Sequence, residues 1–163
     1  MSNEKSIENE VGQLLIKKHL TVSTAESCTG GLLAAALINY PGISSCFMEG
    51  AVTYSNEAKV KRLNVNISTL EQYGAVSDET AREMAYGIAM AAGTNIGIST
   101  TGIAGPGGGT IEKPVGLVYI GLYINKKLIS KKLNLSGTRQ SIRRETVNIA
   151  LNMLKQQLSL QEN

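Results

Sequence analysis

The segment at positions 21–31, TVSTAESCTGG, constrains the fold of this chain more than any other. It begins as a short strand and runs through Glu26, Ser27, Cys28 and Thr29 into a glycine pair and a helix of small apolar residues. In a parallel α/β sheet, ligands bind where the carboxyl ends of strands meet helix N-termini. A helix cap accounts for one hydroxyl, but not for a carboxylate, two hydroxyls and a thiol in succession. The segment therefore predicts a strand–helix unit with a functional site at its junction.

Strands and helices alternate along most of the chain. Apolar spacing and capping residues predict helices over about 4–19, 31–38, 55–63, 67–73, 77–92 and 138–158. Alternation and turn signals predict strands over 21–25, 47–54, 96–101, 115–124 and 128–135, the last two forming an antiparallel hairpin. This order predicts an α/β fold, a three-layer α/β/α sandwich with a mixed sheet. We expect one domain over residues 1–163, with a frayed tail after Leu160.

Composition limits the classes of partner. The net charge is only +3, and the basic residues do not form the dense, aromatic-interleaved face typical of nucleic-acid binding, so no nucleic-acid partner is expected. The sequence has no apolar run long enough to cross a membrane and no secretory signal. Two cysteines, Cys28 and Cys46, do not make a disulfide framework. We therefore expect a cytoplasmic protein with reduced thiols and no membrane association.

The titratable residues limit the chemistry. His19 is the only histidine, and no His/Cys pair has the spacing of a metal site, so neither a metal nor a cofactor is expected. A Ser-His-Asp triad would require His19 to fold into the site. Any other general base must be a lysine, tyrosine, aspartate or glutamate.

Two further segments follow predicted strands. The segment 100–110, TTGIAGPGGGT, is rich in glycine, whose backbone amides can approach and cradle an anion, although a flexible connection would explain it as well. The segment 53–59 places the phenol of Tyr54 and the ammonium group of Lys59 near one strand-to-helix turn; a solvated helix face is the alternative for Lys59. Because the carboxyl ends of parallel strands share one edge of a sheet, all three segments are expected to converge.

Four motifs, the last of them in two parts, together resemble the CinA C-terminal domain family, in the family's order and over nearly the whole chain. They are TAESCTGG at 24–31, VTYSNEAK at 52–59, GAVS at 74–77, GIAGP at 102–106 and KPVG at 113–116. Some members carry an additional N-terminal domain, and the length leads us to expect the stand-alone form. The resemblance implies a nicotinamide-nucleotide amidase. Such an enzyme would hydrolyse the carboxamide of nicotinamide mononucleotide to nicotinate mononucleotide and ammonia, using a Ser/Lys pair without a metal. It also favours a homodimer.

That resemblance leads to a hypothesis for the catalytic residues. Ser27 would attack the amide carbon and form an acyl-enzyme, which water then hydrolyses. Lys59 would accept the serine proton and pass it to ammonia, which requires its pKa to fall from about 10.4. Tyr54 would relay the proton or orient Lys59, and Glu26 would orient Lys59 or a substrate hydroxyl.

Substrate binding is assigned to backbone amides and to the glycine-rich segment. Amides near Cys28, Thr29 and Gly30 would stabilise the oxyanion. The expected phosphate ligands are Thr101, the amides of the 105–109 stretch including Gly105 and Gly107, and Arg139.

Several alternatives remain open at this point. Ser44, Ser45 or Cys28 could be the nucleophile, and Lys61 could replace Lys59. Arg143 and Arg144 compete with Arg139 for the phosphate. The whole chain could instead be a non-catalytic module that binds a nucleotide through the same strand ends.

Overall fold

A computed structural model describes residues 6–160, and a five-stranded mixed sheet lies at its centre. The strands are β1 (Val22–Glu26), β2 (Phe47–Val52), β3 (Ile96–Gly102), β4 (Leu117–Ile124) and β5 (Lys127–Asn134). Their order across the sheet is β2-β1-β3-β4-β5. β1 pairs with β2 and β3 in parallel, whereas β4 is antiparallel to both β3 and β5. The predicted hairpin and the mixed sheet are confirmed.

Six α-helices cover the two faces of the sheet. They are α1 (Ile7–Lys17), α2 (Leu32–Ile38), α3 (Asn56–Leu63), α4 (Ile67–Tyr73), α5 (Asp78–Ala92) and α6 (Arg139–Ser159). α1, α2 and α6 pack together on one face, and α3, α4 and α5 pack on the other. The predicted three-layer sandwich is therefore confirmed. The tail expected to fray after Leu160 lies outside the described residues.

An apolar cluster lies between the sheet and each of the two helical layers. On the α1/α2/α6 side, Leu15, Leu33, Ile142 and Leu154 are among the buried side chains that pack against the sheet. The smaller cluster on the other side consists of Ala25, Leu63, Val65, Leu70, Met84 and Ile88. Burial of these side chains fixes which face of each helix meets the sheet.

Helix α5 lies unusually close to the sheet because two strand residues facing it are glycines. A Cβ atom added to Gly97 would stand 2.0 Å from the Ala85 carbonyl oxygen, and one on Gly121 would stand 2.2 Å from that of Ala81. Neither position can hold a larger residue without moving the helix. This contact anchors α5 under β3 and β4.

One edge of the sheet collects the functional segments. Because β1, β2 and β3 are parallel, their carboxyl ends, at Glu26, Val52 and Gly102, lie at the same edge. The chain leaves β1 through α2 on one face and leaves β2 through α3 on the other, so β1 lies at a topological switch point, where α/β sheets bind ligands. β5 also ends at this edge, and α6 begins there at Arg139. We call it the carboxyl edge.

Candidate active site

Ser27 lies directly beyond β1 at the carboxyl edge. Its backbone N–H donates to the Thr100 carbonyl of β3 at 2.9 Å, which continues the sheet ladder by one residue and fixes the position of the serine. The residue is 9% exposed. A hydroxyl held in a nearly buried position at the end of a strand is well placed to attack a substrate bound at that edge.

Lys59 is the nearest partner of this hydroxyl. Its Nζ donates to Ser27 Oγ at 3.2 Å and to the Thr53 carbonyl oxygen at 2.7 Å. The Ser55 hydroxyl caps α3 by accepting from the Ala58 N–H at 3.0 Å, and this sets where the helix begins and where Lys59 points. The predicted strand 47–54 ends earlier, at Val52, which frees the Thr53 carbonyl to receive the lysine.

The environment of Lys59 favours a neutral amine. The side chain is 1% exposed, and burial lowers the pKa of Lys59 because the ammonium form loses its hydration. The structure supplies no carboxylate as a direct hydrogen-bond partner of Nζ within residues 6–160. A neutral amine 3.2 Å from a serine hydroxyl can accept its proton, so the two side chains form a candidate nucleophile–base pair.

Cys28 is adjacent to the serine but has the wrong electrostatics for a nucleophile. Burial raises the pKa of the Cys28 thiol to about 11. The thiolate, which is the reactive form, is therefore scarce at neutral pH. This removes Cys28 from the candidate nucleophiles.

Glu26, predicted to orient Lys59 or a substrate hydroxyl, instead binds groups of its own chain. Its Oε1 accepts from the Thr29 hydroxyl at 2.6 Å and from the Leu33 N–H at 2.8 Å, and its Oε2 accepts from the Ala34 N–H at 3.0 Å. The carboxylate thus satisfies free amides in the first turn of α2, whose N-cap, Gly31, has no side chain to do so. Glu26 is a structural anchor of the nucleophile segment.

The hydroxyls of two predicted substrate-binding residues, Thr29 and Thr101, make structural hydrogen bonds. Thr29 is fully buried, and its hydroxyl lies 2.6 Å from both Glu26 Oε1 and Thr100 Oγ1. Thr101 is 1% exposed and donates to the Ala75 carbonyl at 2.7 Å, which explains why it is not open to a phosphate. Both threonines tie the strand ends to neighbouring segments.

Tyr54 neither relays a proton to Lys59 nor orients it. The ring is 62% exposed, and its hydroxyl accepts from Arg139 Nη2 at 3.0 Å. Arg139 also donates from Nη1 to the Gly105 carbonyl at 2.8 Å. The phenol, the arginine and the glycine-rich segment therefore form one rim of the carboxyl edge, which Gly107 continues as an exposed loop position.

Arg143 holds the backbone that follows the nucleophile. Its Nε donates to the Cys28 carbonyl at 3.0 Å and its Nη2 to the Thr29 carbonyl at 3.1 Å. Arg144, one residue along α6, instead lines a groove with Ile7 and Glu8 of α1. Of the three competing arginines, Arg139 and Arg143 reach the carboxyl edge.

The remaining alternatives for the nucleophile and base lie elsewhere. Ser44 and Ser45 are exposed in a 3-10 turn before β2, at the opposite edge of the sheet, and Ser45 Oγ donates to the Gly42 carbonyl. Lys61 is exposed on α3 and lines a surface groove. His19 is exposed just before β1, also at the opposite edge.

Across residues 6–160, no group of three or more His, Cys, Asp or Glu side chains could hold a metal ion. No helix in the same range has the length and apolarity needed to cross a membrane.

Three residues of the site had no role in the sequence analysis, or a different one. The Thr53 carbonyl anchors Lys59, the Thr100 carbonyl fixes Ser27, and Arg143 clamps the Cys28 and Thr29 carbonyls. All of these contacts are accepted by backbone carbonyls, which carry no sequence signal. Only the position of Thr53 and Thr100 at predicted strand ends pointed to them.

Comparison with known proteins identifies relatives over almost the whole chain. The model of the CinA C-terminal domain family matches residues 4–158. Competence-damage inducible proteins of Clostridium botulinum (strain ATCC 19397 / Type A) and Clostridium acetobutylicum are 65% and 63% identical to the chain, over 96% and 95% of its length. The matched region is 38% of each of these proteins, so the chain spans about two fifths of the length of the curated relatives it matches.

Solved structures agree with this assignment. The CinA superfamily protein from Klebsiella pneumoniae 700603 has a TM-score of 0.91 and 34% identity, covering 94% of this chain and 96% of that one. The competence/damage inducible protein from Agrobacterium tumefaciens has a TM-score of 0.87 and 41% identity, covering 98% and 99%. The chain belongs to the CinA C-terminal domain family.

Proposed function

We propose that this chain is a nicotinamide-nucleotide amidase, which hydrolyses nicotinamide mononucleotide to nicotinate mononucleotide and ammonia. The observation that carries the proposal is the buried Lys59 amine, 3.2 Å from Ser27 Oγ. A lysine is costly to bury, and here burial depresses its pKa and makes it a base next to a hydroxyl. The choice of substrate rests on the resemblance to the CinA C-terminal domain family.

The chemistry follows from this pair. Ser27 Oγ attacks the carboxamide carbon while its proton moves to Lys59 Nζ, which gives a tetrahedral intermediate and an ammonium group on the lysine. Lys59 then returns the proton to the leaving nitrogen, and the C–N bond breaks. Ammonia departs, and the acyl group stays bound to Ser27 as an ester. Water, deprotonated by the same amine, then attacks the ester carbon. The bond between the acyl carbon and Ser27 Oγ breaks as Lys59 returns the proton to Oγ, and the nicotinate product leaves as a carboxylate after losing its own proton to solvent.

Backbone amides after Ser27 are the candidates to stabilise the tetrahedral oxyanion. Several are already used: the Ser27 N–H donates to Thr100, and the Gly30 N–H donates to the Ser27 carbonyl at 3.1 Å. Arg143 holds the Cys28 carbonyl, and in a trans peptide this directs the Thr29 N–H to the opposite side. We assign the Thr29 N–H as the principal oxyanion donor and Arg143 as the residue that positions it.

The rim of the carboxyl edge fits a phosphate. Arg139 joins Tyr54 to the Gly105 carbonyl, and Arg143 lies one helical turn along α6. The Arg139 guanidinium beside the glycine-rich segment, with Arg143 on the segment after Ser27, supplies positive charge at the carboxyl edge for an anionic group. We assign Arg139 to the phosphate of the nucleotide.

The proposal is tested by ammonia release from nicotinamide mononucleotide, with Ser27→Ala and Ser45→Ala compared with the wild type. We expect Ser27→Ala to lower kcat by a factor on the order of 10⁴ or more, and Ser45→Ala to retain full turnover. Ser45 is the matched control because it also precedes a buried cysteine.

Two results would count against the proposal. A wild type that releases no ammonia, yet gains thermal stability from the nucleotide, would make this a binding module. Undiminished turnover by a folded Ser27→Ala variant would remove Ser27 as the nucleophile.

A further inference from the structure

Two buried hydroxyls in the described part of the chain have no hydrogen-bond partner, those of Thr24 and Thr53. Thr24 is fully buried, and Thr53 is 1% exposed. A buried hydroxyl without a partner costs free energy, because it gives up its hydrogen bonds to water and gains none in return. Such a group calls for an explanation, and a catalytic role is one that would offset this cost. The mechanism proposed above uses the Thr53 carbonyl but not the Thr53 hydroxyl.

The Thr53 side chain lies beside that of Ser27 in the sheet. β1 and β2 pair with Glu26 opposite Val52, and the Thr53 N–H continues this ladder by donating to the Glu26 carbonyl at 2.9 Å. The next pair along the two strands is therefore Ser27 and Thr53. Because paired residues of neighbouring strands lie on the same face, both side chains belong to the face covered by α3, from which Lys59 reaches Ser27.

The Thr24 side chain lies on the other face of the sheet. A Cβ atom added to Gly50 would stand 3.0 Å from Thr24 Oγ1 and 3.1 Å from the Cβ of Ala34, so the Thr24 hydroxyl is enclosed between the sheet and α2. The two unpartnered hydroxyls are therefore alike in chemistry and burial. They differ in that the sheet separates Thr24 from Lys59, whereas Thr53 contacts it.

Lys59 needs a further acceptor when it is charged. An ammonium group has three N–H donors, and within residues 6–160 Nζ has two acceptors, the Thr53 carbonyl oxygen at 2.7 Å and Ser27 Oγ at 3.2 Å. When Lys59 takes the serine proton, a third acceptor would lower the cost of holding the charge in a buried site.

The titratable groups around Lys59 do not supply this acceptor. The Cys28 thiol stays protonated at neutral pH, because burial raises its pKa to about 11. The Glu26 carboxylate binds α2. On α5, Asp78 pairs with Arg82, and Glu83 binds the start of α4. The Thr53 hydroxyl is left as the nearby oxygen that is free to accept.

We propose that the Thr53 hydroxyl is this third acceptor and positions Lys59 in its ammonium form. The Thr53 carbonyl holds Nζ at 2.7 Å, and a rotation about χ1 of the same residue brings Oγ1 toward the amine. A hydrogen bond to an ammonium group is stronger than one to a neutral amine, so the contact stabilises the charged intermediate. The inference rests on the proposed function, since it adds a residue to the same proton transfer.

The test compares Thr53→Val with Thr24→Val, since each removes an unpartnered hydroxyl and keeps the shape of the side chain. We expect the Lys59 amine of Thr53→Val, followed by NMR during a pH titration, to have about a tenfold lower proton affinity than that of the wild type. The ammonium form has then lost an acceptor. Thr24→Val, and Thr53→Ser, which retains the hydroxyl, should titrate like the wild type.

Kinetics and stability give two further readouts. Thr53→Val should lower kcat for nicotinamide mononucleotide about tenfold, and the acid limb of its pH profile should move to lower pH, because the neutral amine persists to lower pH. Thr53→Ser should keep the wild-type kcat. Neither valine variant should unfold at a lower temperature than the wild type, because a methyl group replaces a hydroxyl that makes no bond.

Several results would overturn the inference. One is a Thr53→Val variant whose Lys59 titrates as in the wild type or at higher pH, or an active one with unchanged kcat. Another is a marked fall in its unfolding temperature, which would mean that the hydroxyl is already bonded in the resting protein. An equal shift of the Lys59 titration in Thr24→Val or in Thr53→Ser would also do so. A wild type that releases no ammonia would contradict the proposed function alone, because the Lys59 titration does not depend on turnover.

Discussion

Two Ser-Cys pairs in this chain have opposite surroundings. Ser27-Cys28 follows β1 at the carboxyl edge, and Ser45-Cys46 precedes β2 at the other edge. Both cysteines are buried. Yet Ser27 Oγ receives a hydrogen bond from a buried amine, whereas Ser45 Oγ is exposed and donates to the Gly42 carbonyl of its own turn.

Topology, and not residue type, makes Ser27 rather than Ser45 a candidate nucleophile. Three parallel strands deliver Ser27, Thr53 and Thr100 to the same edge, and α3 returns from β2 with Lys59 pointing inward. At the opposite edge, no helix brings a buried base to Ser45 within the described part of the chain. Pairs of matched variants, each changing one edge or one face of the molecule, test this difference between the two serines.

The largest effect should come from the two lysines of α3. We expect Lys59→Met to reduce kcat/KM for nicotinamide mononucleotide by about 10³-fold or more, since it removes the amine that contacts Ser27 Oγ. Lys61→Met should leave kcat/KM unchanged because Lys61 is exposed. Steady-state assays on both folded variants measure this. Equal losses of kcat/KM in the two variants would show that activity depends on α3 as a whole and not on the buried Lys59 amine.

The second largest effect should be on the free energy of unfolding, and it distinguishes two glutamates, Glu26 and Glu49. Glu26→Gln replaces one acceptor of the α2 amides by a donor, and we expect a loss of about 2 kcal/mol in the free energy of unfolding. Glu49→Gln breaks a partly exposed pair with Arg62 and should cost less than about 1 kcal/mol. Urea unfolding gives both values. A smaller loss for Glu26→Gln than for Glu49→Gln would contradict the anchoring role.

The smallest effect distinguishes the arginines of α6. Arg139→Ala should raise KM by about tenfold with little change in kcat, because a phosphate contact is made equally in the ground and transition states. Arg144→Ala, on the α1 side of the helix, should change neither constant. A fall in kcat with unchanged KM for Arg139→Ala would move this residue from phosphate binding to the chemistry.

The architecture was predictable because it depends on local patterns. Alternating strands and helices, the Ser55 and Ser77 caps and the hairpin at 125–127 fixed the elements to within a few residues. The convergence of Ser27 and Lys59 was also predictable, from the rule that parallel strands end at one edge.

The partners of individual polar side chains were less predictable. Glu26 was expected beside Lys59, but side chains alternate along β1, and its carboxylate reaches the first turn of α2. Tyr54 was placed by its spacing from Lys59, yet β2 ends before it and the ring turns toward Arg139. Such choices depend on how neighbouring elements pack, which a single sequence does not encode locally.

The claim that Lys59 is a catalytic base is tested most directly by measuring the pKa of its amine. A pH titration monitored by NMR on protein with ¹³C-labelled lysine side chains gives this value, and the Lys59→Arg variant identifies the Lys59 signal. If burial prepares the amine as a base, Lys59 should lose its proton below the ordinary pKa of about 10.4. Because the lowered pKa favours the neutral form, the catalytic amine is present above that pKa and is lost as the pH falls through it. If Lys59 instead keeps its proton up to that ordinary pKa, burial does not prepare the amine as a base, and Lys59 cannot have the catalytic role proposed for it.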